Sequence, residues 1–190
     1  MGNRIKIERL VFISLLVALS VVLSFLDKQL SVFLVTPGAR IGLANIVTLT
    51  GIYFLDNKDA TLLVVLKTII SGLLIGNMMA FTIGLVGSVL SFILMLLLLR
   101  IGKERFSLVG ISISGSIAHN LGQIIVLYFY YSWSIIFSLT WLIPVGIGTG
   151  IVVGIIFTAL KNYLENGQVF KTITSKNEDD HLIMSGINND

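Results

Sequence analysis

A lysine and a histidine lie within stretches of the sequence that are otherwise apolar. Lys67 stands in VVLKTIISG, eight residues after Asp59, and His119 stands in SIAHNLGQII. In a helix, eight residues at 1.5 Å each would place Lys67 about 12 Å beyond Asp59. Ionisable groups at membrane depth cost about 2.5–3.5 kcal/mol, so they usually face a protein interior or a water-filled cavity. Lys67 and His119 therefore predict a polar cavity that could hold an anionic or polar solute.

Further polar residues recur at helical spacing around His119. Ser112, Ser116, His119 and Gln123 follow one another at intervals of four, three and four residues, which places them on one helix face. Asn120 points about 100° away from His119 on the same turn. We expect His119 and Gln123 to line the cavity. Asn120 alone is more typical of a contact between helices, where side-chain amides form hydrogen bonds.

Three more residues are expected in the same cavity or at its outer boundary. Arg40 marks a boundary in TPGARIGLANIVTLT, Asn45 follows it into an apolar segment, and Asn77 lies between two further apolar segments. In the alternative interpretation, four polar side chains only tie helices together, through bonds worth about 0.6 kcal/mol each on average. They are Asn45, Asn120, Gln123 and His119. Because charge is rarely tolerated at the depth of Lys67, solute binding is the preferred interpretation.

The composition identifies the class of protein that must position these residues. Of the 190 residues, 55% are hydrophobic and 12% are charged, and the mean hydropathy is +0.97. Such values are typical of an integral membrane protein. The sequence contains no cysteine, which excludes disulfides, thiolate metal sites and cysteine nucleophiles. We expect no metal, no cofactor and no catalytic residue.

Six segments approach the length of about 20 mostly apolar residues that a membrane-spanning helix needs. They cover residues 10–26, 41–55, 60–75, 79–99, 108–131 and 139–160. The first follows a basic head and continues past its only candidate cleavage site, so we expect a retained helix rather than a signal peptide. The sequence predicts an all-α, polytopic six-helix transmembrane bundle over residues 1–165. The polar tail, residues 166–190, is expected to be disordered.

The distribution of lysine and arginine predicts the orientation of the bundle. With the N-terminus inside, ten such residues lie on the cytoplasmic side, whereas only Lys28 and Arg40 lie outside. This bias favours a multi-pass protein of the cell membrane with both termini in the cytoplasm. The sequence has no basic stripe with interleaved aromatic residues, so nucleic acid is not expected as a partner.

Small residues spaced four apart predict close helix packing, because helices in lipid associate through close contact at such residues. Gly146, Gly150 and Gly154 form one stripe of this kind. The surrounding GIGTG follows no strand, so packing explains it better than a nucleotide-binding loop does. Ser14 and Ala18 have the same spacing in the first segment. They either pack inside the bundle or face a partner membrane protein.

The chain resembles the Gx transporter family, also named heptaprenyl diphosphate synthase component I, in the motifs PGARIGLANIVTL, KTIISGLLIGN and AHNLGQ. The resemblance extends from about Arg9 to Lys161. That family looks like the substrate-binding S components of energy-coupling factor (ECF) transporters, six-helix proteins that capture a vitamin-like solute from outside. The resemblance implies docking through Ser14 and Ala18 on a transmembrane coupling protein driven by two ATPases. Lys67 stands where the resemblance leads us to expect arginine.

The synthase name makes a separate prediction about acidic residues. Prenyl diphosphate synthases hold magnesium with paired aspartate-rich motifs, because the diphosphate charge must be neutralised. Here the one acidic cluster, at residues 178–180, is followed by Ile183 where a DDxxD motif needs aspartate. We therefore expect no enzyme activity, and the chain has no P-loop to supply energy for transport.

These observations leave three hypotheses for the function. The leading one is a solute-binding membrane component of an ATP-driven importer, which captures a vitamin- or cofactor-precursor-like molecule. The first alternative is a membrane subunit associated with heptaprenyl diphosphate or isoprenoid-quinone biosynthesis. The second is a structural membrane subunit of a redox complex.

Overall fold

Six α-helices and one 3₁₀-helix make up the fold in the computed structural model, which describes residues 2–31, 39–75, 78–102 and 106–166. The helices are α1 (Gly2–Leu30), α2 (Asn45–Phe54), α3 (Asn57–Ile75), α4 (Met78–Ile101), α5 (Leu108–Tyr131) and α6 (Leu139–Asn166), with the 3₁₀-helix at Trp133–Ser138. No strand occurs within these ranges. The prediction of an all-α fold is confirmed.

Among the described residues, four regions are long and apolar enough to cross a membrane. They are Arg9–Leu30, Met78–Ile101, Leu108–Tyr131 and Trp133–Tyr163. Helix α2 has 10 residues, which at 1.5 Å per residue cover only about half of a hydrocarbon core about 30 Å thick. Helix α3 has 19 residues but carries Lys58, Asp59 and Lys67. The helices therefore lie where the sequence predicts them, whereas the number of six complete spans is not confirmed.

The second predicted segment is only partly helical, because α2 begins at Asn45 rather than at residue 41. Residues 39–42 have no regular secondary structure, and Gly42 has a φ of 98°, which a side chain would strain. We call residues 39–44 the break. Irregular backbone at membrane depth is tolerated where protein buries it or where it lines a cavity, since its polar groups need partners. Ala39 is 1% exposed, so the break enters the interior of the bundle.

Helices α5 and α6 approach each other closely along the glycine stripe of α6. A Cβ atom at Gly150 would lie 2.5 Å from Ile113 Cα, and one at Gly154 would lie 2.7 Å from Val109 Cα. Backbones can come this close only where one residue lacks a side chain. The predicted packing role of this stripe is confirmed.

Replacing Gly150 with alanine is expected to destabilise the protein by about 1–3 kcal/mol, since the added methyl group would overlap the backbone of Ile113. Gly148→Ala is the matched control, because no described atom lies within 4 Å of a Cβ at Gly148. Both changes raise helix propensity equally. Thermal unfolding in detergent measures the difference, and equal stability of the two variants would contradict the close approach of α5 and α6.

Helix α1 has an inward and an outward face. Ile13 and Val17 are buried in a core cluster, whereas Ser14 and Ala18 are exposed. The hydroxyl of Ser14 donates a hydrogen bond to Leu10 O at 2.8 Å, within its own helix. Ser14 and Ala18 therefore do not pack inside the bundle, and the small-residue face of α1 points outward.

Candidate functional site

A cavity of about 30 Å³ lies where the break meets α1, α3, α4 and α5. Its polar lining includes charged and amide side chains from separate parts of the chain, among them Asp27, Arg40, Asn45, Lys67 and His119. Four of these residues are sequence-predicted site residues, and the fold brings them to one place. Asp27 is the addition that the structure makes to the site.

The carboxylate of Asp27 binds the backbone of the break. Its Oδ1 accepts hydrogen bonds from Gly42 N at 3.2 Å and Leu43 N at 3.0 Å, and its Oδ2 accepts one from Ala44 N at 3.4 Å. The N-terminal end of a helix favours a negative charge nearby, and α2 begins immediately after Ala44. Asp27 is 2% exposed. It therefore holds the irregular backbone in place and satisfies polar groups that no helix or strand pairs.

The sequence predictions did not include Asp27, although its spacing marks it. Ser20, Ser24, Asp27 and Ser31 follow one another at intervals of four, three and four residues, the same intervals that flag the stripe around His119. Ser20, Ser24 and Asp27 are 0%, 5% and 2% exposed, respectively. A polar stripe in an apolar helix points toward the bundle interior, so this spacing was the signal that could have found Asp27.

Lys67 binds the first turn of α2 from α3. Its Nζ donates to Ala44 O at 3.3 Å and to Thr48 Oγ1, and the residue is 4% exposed. Asp27 thus accepts hydrogen bonds from backbone amides just before α2. Lys67 donates hydrogen bonds to the carbonyl just before α2 and to a hydroxyl in its first turn. Buried charges are tolerated when they are paired and hydrogen-bonded. Lys67 lines the cavity and also ties α3 to α2.

Arg40 is held both by its backbone and by its side chain. Gln123 Oε1 accepts from Arg40 N at 2.7 Å, and Gln123 Nε2 donates to Arg40 O at 2.9 Å. The guanidinium lies against α4, where Nη2 donates to Ala80 O at 3.0 Å and a Cβ at Gly84 would lie 2.9 Å from Nη1. The absence of a side chain at Gly84 therefore leaves room for the guanidinium beside the cavity.

Gln123 and Asn120 are not among the residues that line the cavity. Asn120 Nδ2 donates to Leu142 O at 2.6 Å, which ties α5 to α6, and Asn120 Oδ1 accepts from Gln123 Nε2 at 3.2 Å. We expected Gln123 to face the cavity with His119. Instead its amide pairs with the backbone of Arg40, because that backbone lies in no helix or strand and needs partners.

His119 and Asn45 carry polar atoms that have no partner. His119 is 5% exposed and Asn45 is 2% exposed. Within the described residues, Asn45 Nδ2 makes no hydrogen bond, and neither ring nitrogen of His119 makes one of good geometry, although the backbone of Gly87 lies beside the ring. Such buried groups are uncommon and cost about 1–3 kcal/mol each. Both residues line the same cavity, so a polar molecule bound there would lie close to them.

Gly87 of α4 sets the position of the His119 ring. A Cβ at Gly87 would lie 2.9 Å from both Cε1 and Nδ1 of His119. Gly122 of α5 packs against the same place, since its Cβ would lie 2.7 Å from Gly87 Cα. The close contact of α4 and α5 therefore fixes His119 at the cavity wall.

A family model described as heptaprenyl diphosphate synthase component I matches residues 16–160. The match covers more than half of the chain and includes every cavity residue named above. The chain belongs to the heptaprenyl diphosphate synthase component I family. No curated protein and no solved structure matches it. The family resemblance carried by the three sequence motifs is therefore confirmed.

Two sequence predictions for this member of the family fall outside the described residues. They concern Asn77 and the polar tail, of which residues 167–190 are not described. Within the described ranges, no group of three or more histidine, cysteine, aspartate or glutamate side chains could hold a metal ion. The cavity lining itself offers hydrogen-bonding and charged side chains.

Proposed function

We propose that this member of the heptaprenyl diphosphate synthase component I family is an integral membrane substrate-binding (S) component of an ECF-type ATP-driven importer. It captures a small polar or anionic solute, such as a vitamin or cofactor precursor. The observation that carries the proposal is the buried cavity at which Arg40, Lys67 and the unpartnered atoms of Asn45 and His119 meet. Energy comes from ATPase partners through a transmembrane coupling protein, because the sequence has no P-loop.

The positions of the basic residues support a cavity that is reached from outside the cell. Arg9 Nη1 lies 3.2 Å from Asp56 Oδ2, Arg100 binds Asn57 Oδ1, and Lys161 Nζ lies 4.9 Å from the Tyr53 ring centroid. These contacts gather α1, α4 and α6 around the turn between α2 and α3. We call this region, with Arg9, Arg100 and Lys161, the basic end of the bundle. With this basic end in the cytoplasm, both termini are cytoplasmic and the cavity lies toward the outer face of the cell membrane.

An apolar layer separates the cavity from the basic end. Its members are 0–9% exposed. They are Leu49, Phe54, Met95, Leu99, Ile111 and Phe157. Among the described residues, these apolar side chains form one packed cluster. The layer supports a role in capture, with release on the cytoplasmic side left to partner proteins.

The size of the cavity constrains how a solute binds. A volume of about 30 Å³ is far below the roughly 300–1,000 Å³ of typical small-molecule sites. A vitamin-sized solute therefore binds only when side chains of the lining move apart. Binding then carries the free-energy cost of that opening, which lowers the apparent affinity.

Co-purification from the native membrane tests the importer proposal. A solute-binding component is expected to bring down a membrane coupling protein and ATPase subunits in a detergent that preserves assemblies. Their consistent absence would count against the proposal. Synthesis of a polyprenyl diphosphate by the purified chain alone would refute it, since we propose that the chain is not an enzyme.

Replacing Ala18 with tryptophan is expected to block association with the coupling protein and to leave solute binding unchanged. Ala18 is exposed on α1 and is not part of the cavity lining, and a bulky ring there would prevent close helix contact. Ala159→Trp is the matched control, because Ala159 is an exposed alanine of α6. Co-purification of partners with each variant measures the effect. Normal assembly of the Ala18 variant would show that this face is not the docking surface.

The family description favours a second candidate function. Its words name a component of heptaprenyl diphosphate synthase, and a membrane subunit associated with isoprenoid synthesis would fit them without being catalytic. In that case the chain is expected to co-purify with a soluble prenyl synthase instead of with ATPases. The same co-purification experiment therefore separates the two candidates.

A further inference from the structure

The charges around the cavity sum to a single positive charge. Arg40 and Lys67 are cations and Asp27 is an anion, and all three line the cavity. His119 is counted as neutral. A bound solute with one negative charge would therefore neutralise the cavity, whereas a cation would add to its charge.

The three charged residues differ in how much of their hydrogen-bonding capacity the protein already uses. Asp27 accepts hydrogen bonds from three backbone amides. Lys67 donates to two acceptors on α2, and an ammonium has three donors. Arg40 has five N–H groups on its guanidinium, of which one pairs with Ala80 O among the described residues. Arg40 is therefore the cation with the most capacity left for a ligand.

The neutral groups next to Arg40 add further donors. Asn45 Nδ2 carries two N–H groups, and a neutral imidazole offers one donor and one acceptor. None of these atoms has a partner in the described part of the chain. Unused donors thus outnumber unused acceptors at this wall, which favours a ligand rich in acceptor oxygens.

We propose that the solute is a monocarboxylate, and that its carboxylate binds the guanidinium of Arg40 while Asn45 and His119 bind its neighbouring polar atoms. This inference rests on the proposed function and names the substrate class of the same site. A guanidinium presents two parallel N–H groups that match the two oxygens of a carboxylate. Phosphate esters fit less well, because they carry about −1.5 to −2 charges at neutral pH, more than the cavity balances.

Small probe ions test the substrate class without any substitution. The full chain in lipid nanodiscs is heated with acetate, with acetamide as a neutral molecule of similar shape, and with methylammonium as a cation, at constant ionic strength. Acetate alone is expected to raise the unfolding temperature, because only it carries the carboxylate. An equal shift with acetamide or methylammonium, or no shift with acetate, would overturn the inference.

Variants then locate the binding group. Arg40→Gln is expected to weaken acetate binding about tenfold or more, since hydrogen bonds to a charged group are worth about 1.5–3 kcal/mol. Arg40→Lys keeps the charge but loses the paired donors. We therefore expect its affinity for acetate to lie between those of the wild type and Arg40→Gln. Arg100→Gln, at the opposite end of the bundle, is the control and is expected to bind like the wild type. Undiminished acetate binding by Arg40→Gln would overturn the assignment of Arg40.

The outcomes separate this inference from the function on which it rests. Co-purification with ATPases together with no response to acetate would refute the proposal of a monocarboxylate solute and leave the importer proposal intact. A selective response to acetate without any ATPase partner would refute the importer proposal and leave the proposed carboxylate site intact.

Discussion

Asp27→Ala is expected to destabilise the protein by about 3 kcal/mol or more, since each buried donor that loses its acceptor costs about 1–3 kcal/mol. The substitution leaves three backbone amides of the break without their acceptor. It also leaves the buried ammonium of Lys67 without a nearby negative charge. Thermal and denaturant unfolding in detergent measure the loss.

Asp56→Ala is the matched control for this prediction. The side chain of Asp56 is 48% exposed and its Oδ2 lies 3.2 Å from Arg9 Nη1, and exposed pairs of this kind contribute about 0–1 kcal/mol. Asp56 also stands immediately before α3, where loss of a capping aspartate costs about 1 kcal/mol, still less than the loss expected for Asp27. If the Asp27 variant were as stable as the Asp56 variant, the proposed role of Asp27 in holding the break would be wrong.

A double variant isolates the coupling of Asp27 and Lys67. Both residues bind the start of α2, so Asp27→Asn and Lys67→Met are expected to be less destabilising together than the sum of the two single effects. Asp27→Asn alone leaves two cavity cations without an anion, whereas the double variant keeps the single positive charge of the wild type. Strict additivity would show that the two residues act independently.

Lys67→Ala is expected to weaken solute retention by about a hundredfold, the second of the large effects. Removal of the ammonium frees Ala44 O and Thr48 Oγ1. It also removes the net positive charge of the cavity, since Arg40 and Asp27 then balance each other, at a cost of about 2–5 kcal/mol for an anionic solute. Ser88→Ala is the control, because Ser88 also lines the cavity but is uncharged. Equilibrium binding to nanodiscs compares them, and equal losses in both variants would remove Lys67 from the site.

The helices themselves could be predicted from the sequence because apolar runs of this length have few alternatives. Segments predicted at 79–99 and 108–131 correspond to α4 and α5 within a few residues. The break could not be predicted in the same way, since residues 41–44 are apolar or small and continue the run that leads into α2. Its conformation depends on Asp27, which lies on another helix, and no local pattern contains that contact.

The candidate site shows the same division between local and distant information. The spacing of residues on α5 predicts that His119 and Gln123 share a face. It does not reveal what lies opposite that face, and Gln123 meets the backbone of Arg40 while His119 meets the cavity. The rarity of charge among apolar residues was the stronger guide, because it led to Lys67 and Arg40 regardless of their neighbours.

Mass spectrometry of the small molecules that remain bound through purification tests the central claim most directly. Wild-type protein is compared with Arg40→Gln and with the control Arg100→Gln, each extracted from the same quantity of cells. We expect one anionic small molecule to accompany the wild type and the control and to be lost from Arg40→Gln. The same molecule at equal levels in all three proteins, or no bound molecule in any of them, would contradict the claim that this cavity is a solute-binding site.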